Sequence, residues 1–203
     1  MEKVAIFGGT FDPIHNGHLH IAYEALYGLN LDKIIFMPSG NPPHKIRRMV
    51  TDSYIRYELV KMAIRDEKRF EISGYEINRK GLSYTYETLN YFSKKYNKVE
   101  WYFLTGVDCL MDLDTWKNIG LILNLCNFVV FNRPGYNKQE ILMQKEKVEK
   151  RYGKKIIFLD IPLLDISSTE VRRLIQKGQD IRYFLPEGVY NTIKQLKLYS
   201  RNI

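Results

Sequence analysis

Five short apolar runs, at residues 3–7, 33–37, 99–105, 126–131 and 155–159, alternate with longer stretches of helical periodicity. No other feature of the chain narrows its fold so far. Each run, of the kind Val4-Ala5-Ile6-Phe7, reads as a buried strand. The segments between them, notably 17–29, 53–65, 84–96 and 137–151, read as helices. Strands alternating with helices predict parallel βαβ units, and so an α/β fold built as a doubly wound parallel sheet with helices on both faces. Ligands of such sheets bind beyond the carboxyl ends of the strands, where the winding reverses. Pro186-Glu187 opens a last helix to about Leu198, so a small helical C-terminal part spans about 168–203. Without repeats, low-complexity segments or linkers, residues 1–203 read as a single domain.

Composition removes several classes. Hydrophobic residues make up 45% of the 203 and aromatic residues 13%, enough for a substantial core and against disorder. No run of about eighteen apolar residues occurs, nor a basic segment leading into an apolar one, which leads us to expect a cytoplasmic protein with no membrane partner. The two cysteines, Cys109 and Cys126, lack metal-like spacing and read as reduced thiols. The formal net charge of +8 speaks to solubility and to steering of anions, not to a specific partner. Much of it sits in 45–48 and in 145–155; the second stretch reads as the solvated face of a helix.

The chemistry concentrates in Gly8-Gly9-Thr10-Phe11-Asp12-Pro13-Ile14-His15-Asn16-Gly17-His18-Leu19, which joins the first strand to the first helix. Strand, glycine turn and helix start in that order form an anion site, since glycines let the backbone approach and helix N–H groups meet the anion. His15 and His18 stand three residues apart where the helix begins, so both can face one anion. The spacing fits neither a G-x-G-x-x-G dinucleotide loop nor a G-x-x-x-x-G-K loop. Thr10 and Phe11 can offer main-chain N–H groups, and Asp12 before Pro13 is read as shaping the loop. His20 points off the face shared by the other two. A second anion site lies near the C-terminus: Ser167-x-x-Glu170 has capping-box spacing and starts a helix through about Gln176. Its N–H groups, the hydroxyls of Ser168 and Thr169, and Arg172 one turn in can all meet an anion.

With Pro42-Pro43-His44-Lys45, Ser83-Tyr84-Thr85, Gly106-Val107-Asp108, Trp116-Lys117, Phe131-Asn132-Arg133-Pro134-Gly135 and Ile166-Ser167-Ser168-Thr169-Glu170-Val171-Arg172, the first run resembles the signature of the nucleotidylyltransferase superfamily. In order and extent, over nearly the whole chain, these motifs are most similar to those of the bacterial nicotinate-mononucleotide adenylyltransferases. The resemblance implies a Rossmann-like fold and a transferase of NAD biosynthesis. In that reaction the phosphate of nicotinate mononucleotide attacks the α-phosphorus of ATP in line, without a covalent enzyme intermediate. Deamido-NAD and pyrophosphate are the products.

The same resemblance assigns roles. ATP binding falls to Gly8, Gly9, Thr10, Phe11, His15, His18, Lys45, Gly106, Asp108, Ile166, Ser167, Ser168, Thr169 and Arg172. His15, His18, Lys45 and Arg172 among them are the implied catalytic residues. Nicotinate mononucleotide falls to Thr85, Asp108, Trp116, Lys117 and Arg133, with Trp116 stacking on the pyridine ring and Asp108 accepting from ribose. Mg²⁺ is implied as a companion of the ATP phosphates, and no residue is named as a metal ligand. Nucleic acid is not an expected partner, and a homo-oligomer is left open. Phosphopantetheine adenylyltransferase, the nearest relative in kind, is disfavoured by chain length, Trp116, the Ser83-Tyr84-Thr85 run and the I-S-S-T wording. A nucleic-acid-binding protein has only the net charge in its favour.

Overall fold

The computed structural model describes residues 1–40, 50–132, 135–162 and 164–200. Six strands form one sheet in the order β3-β2-β1-β4-β5-β6, and all five pairings are parallel. They are β1 (Glu2–Gly9), β2 (Lys33–Pro38), β3 (Phe70–Ile72), β4 (Val99–Gly106), β5 (Asn127–Phe131) and β6 (Ile156–Leu159). Eight α-helices connect or follow them among the described residues: α1 (Asn16–Gly28), α2 (Ser53–Ile64), α3 (Thr85–Lys95), α4 (Val107–Met111), α5 (Ile119–Leu125), α6 (Lys138–Tyr152), α7 (Ser168–Gln176) and α8 (Glu187–Gln195). This is the doubly wound arrangement expected from the alternating pattern.

Alternation along β1 shows how the layers form. Ala5 and Phe7 face a core shared with α1, α2, α7 and α8, whereas Val4 and Ile6 face a second core shared with α3, α4, α5 and α6. A strand buried on both faces has no solvent side, so its sequence is a continuous apolar run. The C-terminal helices α7 and α8 contribute Val171, Val189, Tyr190 and Ile193 to the first of these cores.

Local chemistry sets the element ends. Asp52 caps α2 by accepting the N–H groups of Tyr54 (2.9 Å) and Ile55 (3.3 Å), and Asn137 caps α6 through Gln139 N–H. Gly153, at φ +64°, ends α6 in the left-handed conformation that glycine adopts most readily. Strand β3 and the elements between β4 and β5 were not anticipated. Strand β3 has three residues, too few to show a period. Between β4 and β5 the chain folds α4, a single 3-10 turn and α5, where the apolar residues Val107, Leu110, Leu113, Ile119, Ile122 and Leu123 are all buried. The last helix ends at Gln195, short of Leu198, because Lys197 and Tyr199 take positive φ and turn the chain back. Among the described residues no helix is long and apolar enough to cross a membrane.

Candidate active site

Parallel pairing brings the motifs together. In register, Gly9 stands beside Pro38, Phe7 beside Leu104, and Gly106 beside Phe131. The segments leaving β1, β2, β4, β5 and β6 therefore all emerge at one edge of the sheet. The winding reverses between β1 and β4, and there the Gly8–His18 segment faces Gly106-Val107-Asp108, as the topology requires of a ligand crevice.

The two imidazoles form the centre of the first segment. His15 is the N-cap of α1 and His18 lies one turn in; they are 3% and 8% exposed. Their rings stack with centroids 3.6 Å apart and planes at 27°. The His15 N–H donates to His18 Nδ1 at 3.2 Å, so a neutral His18 ring carries its proton on Nε2. The edge of Phe11 closes the other side of His18, centroids 5.0 Å apart at 74°. Phe11 holds φ +50°, the left-handed residue of the loop, and its ring is 2% exposed. Burial of that ring opposes the strain of a left-handed non-glycine residue. Gly9 is needed beside it, because a Cβ there would stand 2.8 Å from the Phe11 ring. His18 thus serves the helix start through one ring nitrogen, Nδ1.

The second motif docks directly on the first. Ser168 donates to the Pro13 carbonyl (2.8 Å), and Arg172 donates to the Asp12 carbonyl (2.6 Å) and to Thr169 Oγ1 (3.3 Å). Ile166 approaches Gly17, whose hypothetical Cβ would lie 3.4 Å from the Ile166 Cβ. The Ser168 hydroxyl donates to the Pro13 carbonyl, so this side chain joins the two loops. The capping box forms on one side only: Ser167 Oγ accepts Glu170 N–H, but the Glu170 carboxylate turns to Arg173 Nε at 2.6 Å. A guanidinium one turn away offers it charge that the helix start does not. Asp12 shapes the loop as expected, with Tyr199 donating to its Oδ1 (2.9 Å) and Thr51 N–H to its Oδ2 (3.5 Å).

Arg56 was not singled out from the sequence. It is 1% exposed on α2 and donates to the carbonyls of Thr51 (2.9 Å), Thr10 (2.5 Å) and Ser39 (2.7 Å). One guanidinium thereby ties the loop after β1 to the loop after β2. Burial pushes it below the usual arginine value, with the Asp12 carboxylate acting in the opposite sense. The signal was present: Arg56 shares a helical face with Leu59 and Val60, where a charge is out of place. His20 meets the Pro162 carbonyl at 2.7 Å, away from His15 and His18, as expected.

The described residues expected to take the acceptor follow β4 or open α3. Asp108 stands in the first turn of α4, with Gly106 as N-cap. Trp116 is half-buried, edge-on to Phe103 (6.2 Å) and Phe128 (6.3 Å), so the core fixes the plane of its indole. Lys117 reaches back to the Tyr84 hydroxyl at 2.9 Å, its ammonium 4.2 Å from the Tyr84 ring centre. This links the Trp116-Lys117 turn to the start of α3, where Thr85 is the first residue and Tyr84 makes no side-chain cap. Lys45 and Arg133, with His44, lie outside the described residues. Among the described residues no three His, Cys, Asp or Glu side chains gather as a metal site.

A family model described as cytidylyltransferase-like matches residues 6–174. A protein of Clostridium novyi (strain NT) named "Probable nicotinate-nucleotide adenylyltransferase" is 59% identical over 200 residues, covering 98% of this chain and 100% of its own. One of the same name from Clostridium tetani is 59% identical over 199 residues, with the same coverage. The chain belongs to the nicotinate-nucleotide adenylyltransferase family. Solved structures share this family's fold. A Plasmodium falciparum nicotinic acid mononucleotide adenylyltransferase complexed with NaAD superposes with a TM-score of 0.78 at 20% identity, over 98% of both chains. The same protein complexed with APC gives 0.75 at 21% identity, again over 98% of both.

Proposed function

We propose that this member of the nicotinate-nucleotide adenylyltransferase family transfers the adenylyl group of ATP to nicotinate mononucleotide, giving deamido-NAD and pyrophosphate in NAD biosynthesis. The observation that carries the reading is the docking of two anion-binding helix starts, α1 and α7, on one loop: Asp12 and Pro13 accept from Arg172 and Ser168. A triphosphate lying between them meets His18, Arg172 and the first-turn N–H groups of both helices.

The acceptor phosphate is already an anion, so the protein supplies no nucleophile. Its work is to align two polyanions and to stabilise the charge that grows on the α- and β-phosphate oxygens. His18, whose Nδ1 accepts the His15 N–H, is assigned the donor role toward the phosphate through Nε2. His15, stacked against it, fixes the plane of that ring and adds a second imidazole to the phosphate side. Arg172 provides the fork for the leaving pyrophosphate, and Lys45 a compact charge on a long stem, suited to following the transferred group. Mg²⁺ carried by the ATP phosphates would neutralise part of their charge, and no residue of this chain is assigned to hold it. Asp108 accepts from ribose, Trp116 offers an indole face to the pyridine ring, Thr85 and Lys117 are assigned to the nicotinate carboxylate, and Arg133 to the mononucleotide.

The cytoplasm is the compartment we assign. The deciding assay is pyrophosphate release from MgATP with nicotinate mononucleotide, nicotinamide mononucleotide or phosphopantetheine as acceptor. Strong preference for the first is expected. Equal use of the two pyridine nucleotides would refute the carboxylate pocket, and turnover of phosphopantetheine alone would refute the acceptor.

A further inference from the structure

We propose that Tyr199, near the very end of the chain, is a positioning residue for adenylyl transfer that acts through Asp12 on Arg172. The inference rests on the reading that Arg172 holds the triphosphate.

Asp12 is 6% exposed and sits at the centre of four elements. Its Oδ1 accepts the Tyr199 hydroxyl at 2.9 Å, and its Oδ2 accepts Thr51 N–H, from just before α2, at 3.5 Å. Arg172 Nη1 donates to the Asp12 main-chain carbonyl at 2.6 Å yet stays 4.0 Å from Oδ2. Arg56 lies close enough to feel the same carboxylate. A buried carboxylate beside a guanidinium ordinarily closes into a bidentate pair. Here it is held short of that, because Tyr199 anchors its Oδ1 while Oδ2, the oxygen on the Arg172 side, accepts Thr51 N–H. The guanidinium consequently grips the backbone of the loop and keeps charge available for a phosphate.

The chain goes to some length to deliver this hydroxyl. After α8 ends at Gln195, Lys197 and Tyr199 adopt φ +50° and +64°, conformations that side-chain-bearing residues resist. Packing of Leu198 and Tyr199 against the core holds the turn. Burial and the Asp12 carboxylate both push the Tyr199 hydroxyl above the usual tyrosine value, so it remains a donor throughout the working range. Without it, Asp12 swings toward Arg172 and competes with the triphosphate for the same cation.

The test is Tyr199→Phe in the full chain, which removes one oxygen and little else. Loss of one hydrogen bond to a charged group predicts about a tenfold fall in kcat/KM for ATP. KM for nicotinate mononucleotide stays within about twofold and Tm changes little, a split that a merely structural role would not give. Unchanged kcat/KM for ATP, or equal losses for both substrates with a large fall in Tm, overturns the proposal. A double-mutant cycle with Asp12→Asn guards against misfolding of one variant: a neutral amide cannot draw off Arg172, so adding Tyr199→Phe to Asp12→Asn costs nothing further. Fully additive losses overturn the mechanism. Calorimetric binding of MgATP separates this from the functional reading. A wild-type chain that binds MgATP tightly but transfers nothing refutes adenylyl transfer, while weaker binding by Tyr199→Phe still upholds the link to Arg172.

Discussion

Arg56→Met should destabilise the molecule and slow it, and the size of both effects follows from the geometry. Methionine keeps much of the apolar stem but none of the donors, so the carbonyls of Thr51, Thr10 and Ser39 lose a partner each. All three residues are only partly buried, so the low end of the orphaned-acceptor cost applies, about 1 kcal/mol apiece or about 3 kcal/mol together. Removing a buried guanidinium also removes its own desolvation penalty, which offsets part of that loss. A net destabilisation of about 2 kcal/mol lowers Tm by about 4–8 °C for a chain of this size. Because the released Thr10 carbonyl belongs to the phosphate-facing loop, kcat should also fall, by roughly tenfold, at temperatures well below the transition. Calorimetry and initial rates with both substrates saturating give the two numbers. A variant within about 1 °C of wild type, with unchanged kcat, would show that Arg56 holds neither loop in place.

His18→Ala should lower kcat by about a hundredfold or more, the usual loss for one preorganised donor in a dry site, in a protein that still unfolds cooperatively; near-normal turnover would remove His18 from the chemistry. Trp116→Ala should raise KM for nicotinate mononucleotide about tenfold, as expected for loss of one stacked ring, with KM for ATP nearly constant; a shared rise would mean the indole serves only Phe103 and Phe128. Glu76→Gln tests a buried carboxyl beside Thr88, which donates to it at 2.8 Å; burial holds this acid above its usual range. A raised acid binds its proton more tightly folded than unfolded, so its stabilising effect is complete at low pH and is lost as pH climbs through the folded value. Tm of Glu76→Gln should therefore exceed that of wild type at pH 8 and converge with it near pH 4. A constant difference across that range would contradict a strained carboxylate.

The elements that carried a long local signal were legible in the sequence, and those built by tertiary contact were not. The β1–loop–α1 segment announced itself because every part of it is consecutive: four buried apolar residues, two glycines, two histidines at one-turn spacing. The carboxyl-edge location of the site followed from topology alone. Strand β3 was missed because Phe70–Ile72 is held by its register with Ile34–Phe36, a long-range fact that three residues cannot encode. The helices α4 and α5 were hidden by motifs that drew attention to Asp108 and Trp116 while their apolar spacing went unread. Ser168 and Glu170 fitted their patterns but found better partners, Pro13 and Arg173, that only the assembled fold brings near. Tyr199 lies in a stretch with no motif at all, and nothing local marks it.

The bonds from Ser168 to Pro13 and from Arg172 to Asp12 join residues 155 and 160 positions apart, and both cross the mouth of the site. A growing chain can therefore make its first strand, its glycine turn and both imidazoles early, and still possess only half of a phosphate grip. Translation must pass residue 172 before the other half exists. A chain stopped before α7 lacks the opposing helix, and so cannot hold ATP in the reactive geometry. The wiring of the fold makes synthesis of α7 a condition for spending nucleotide.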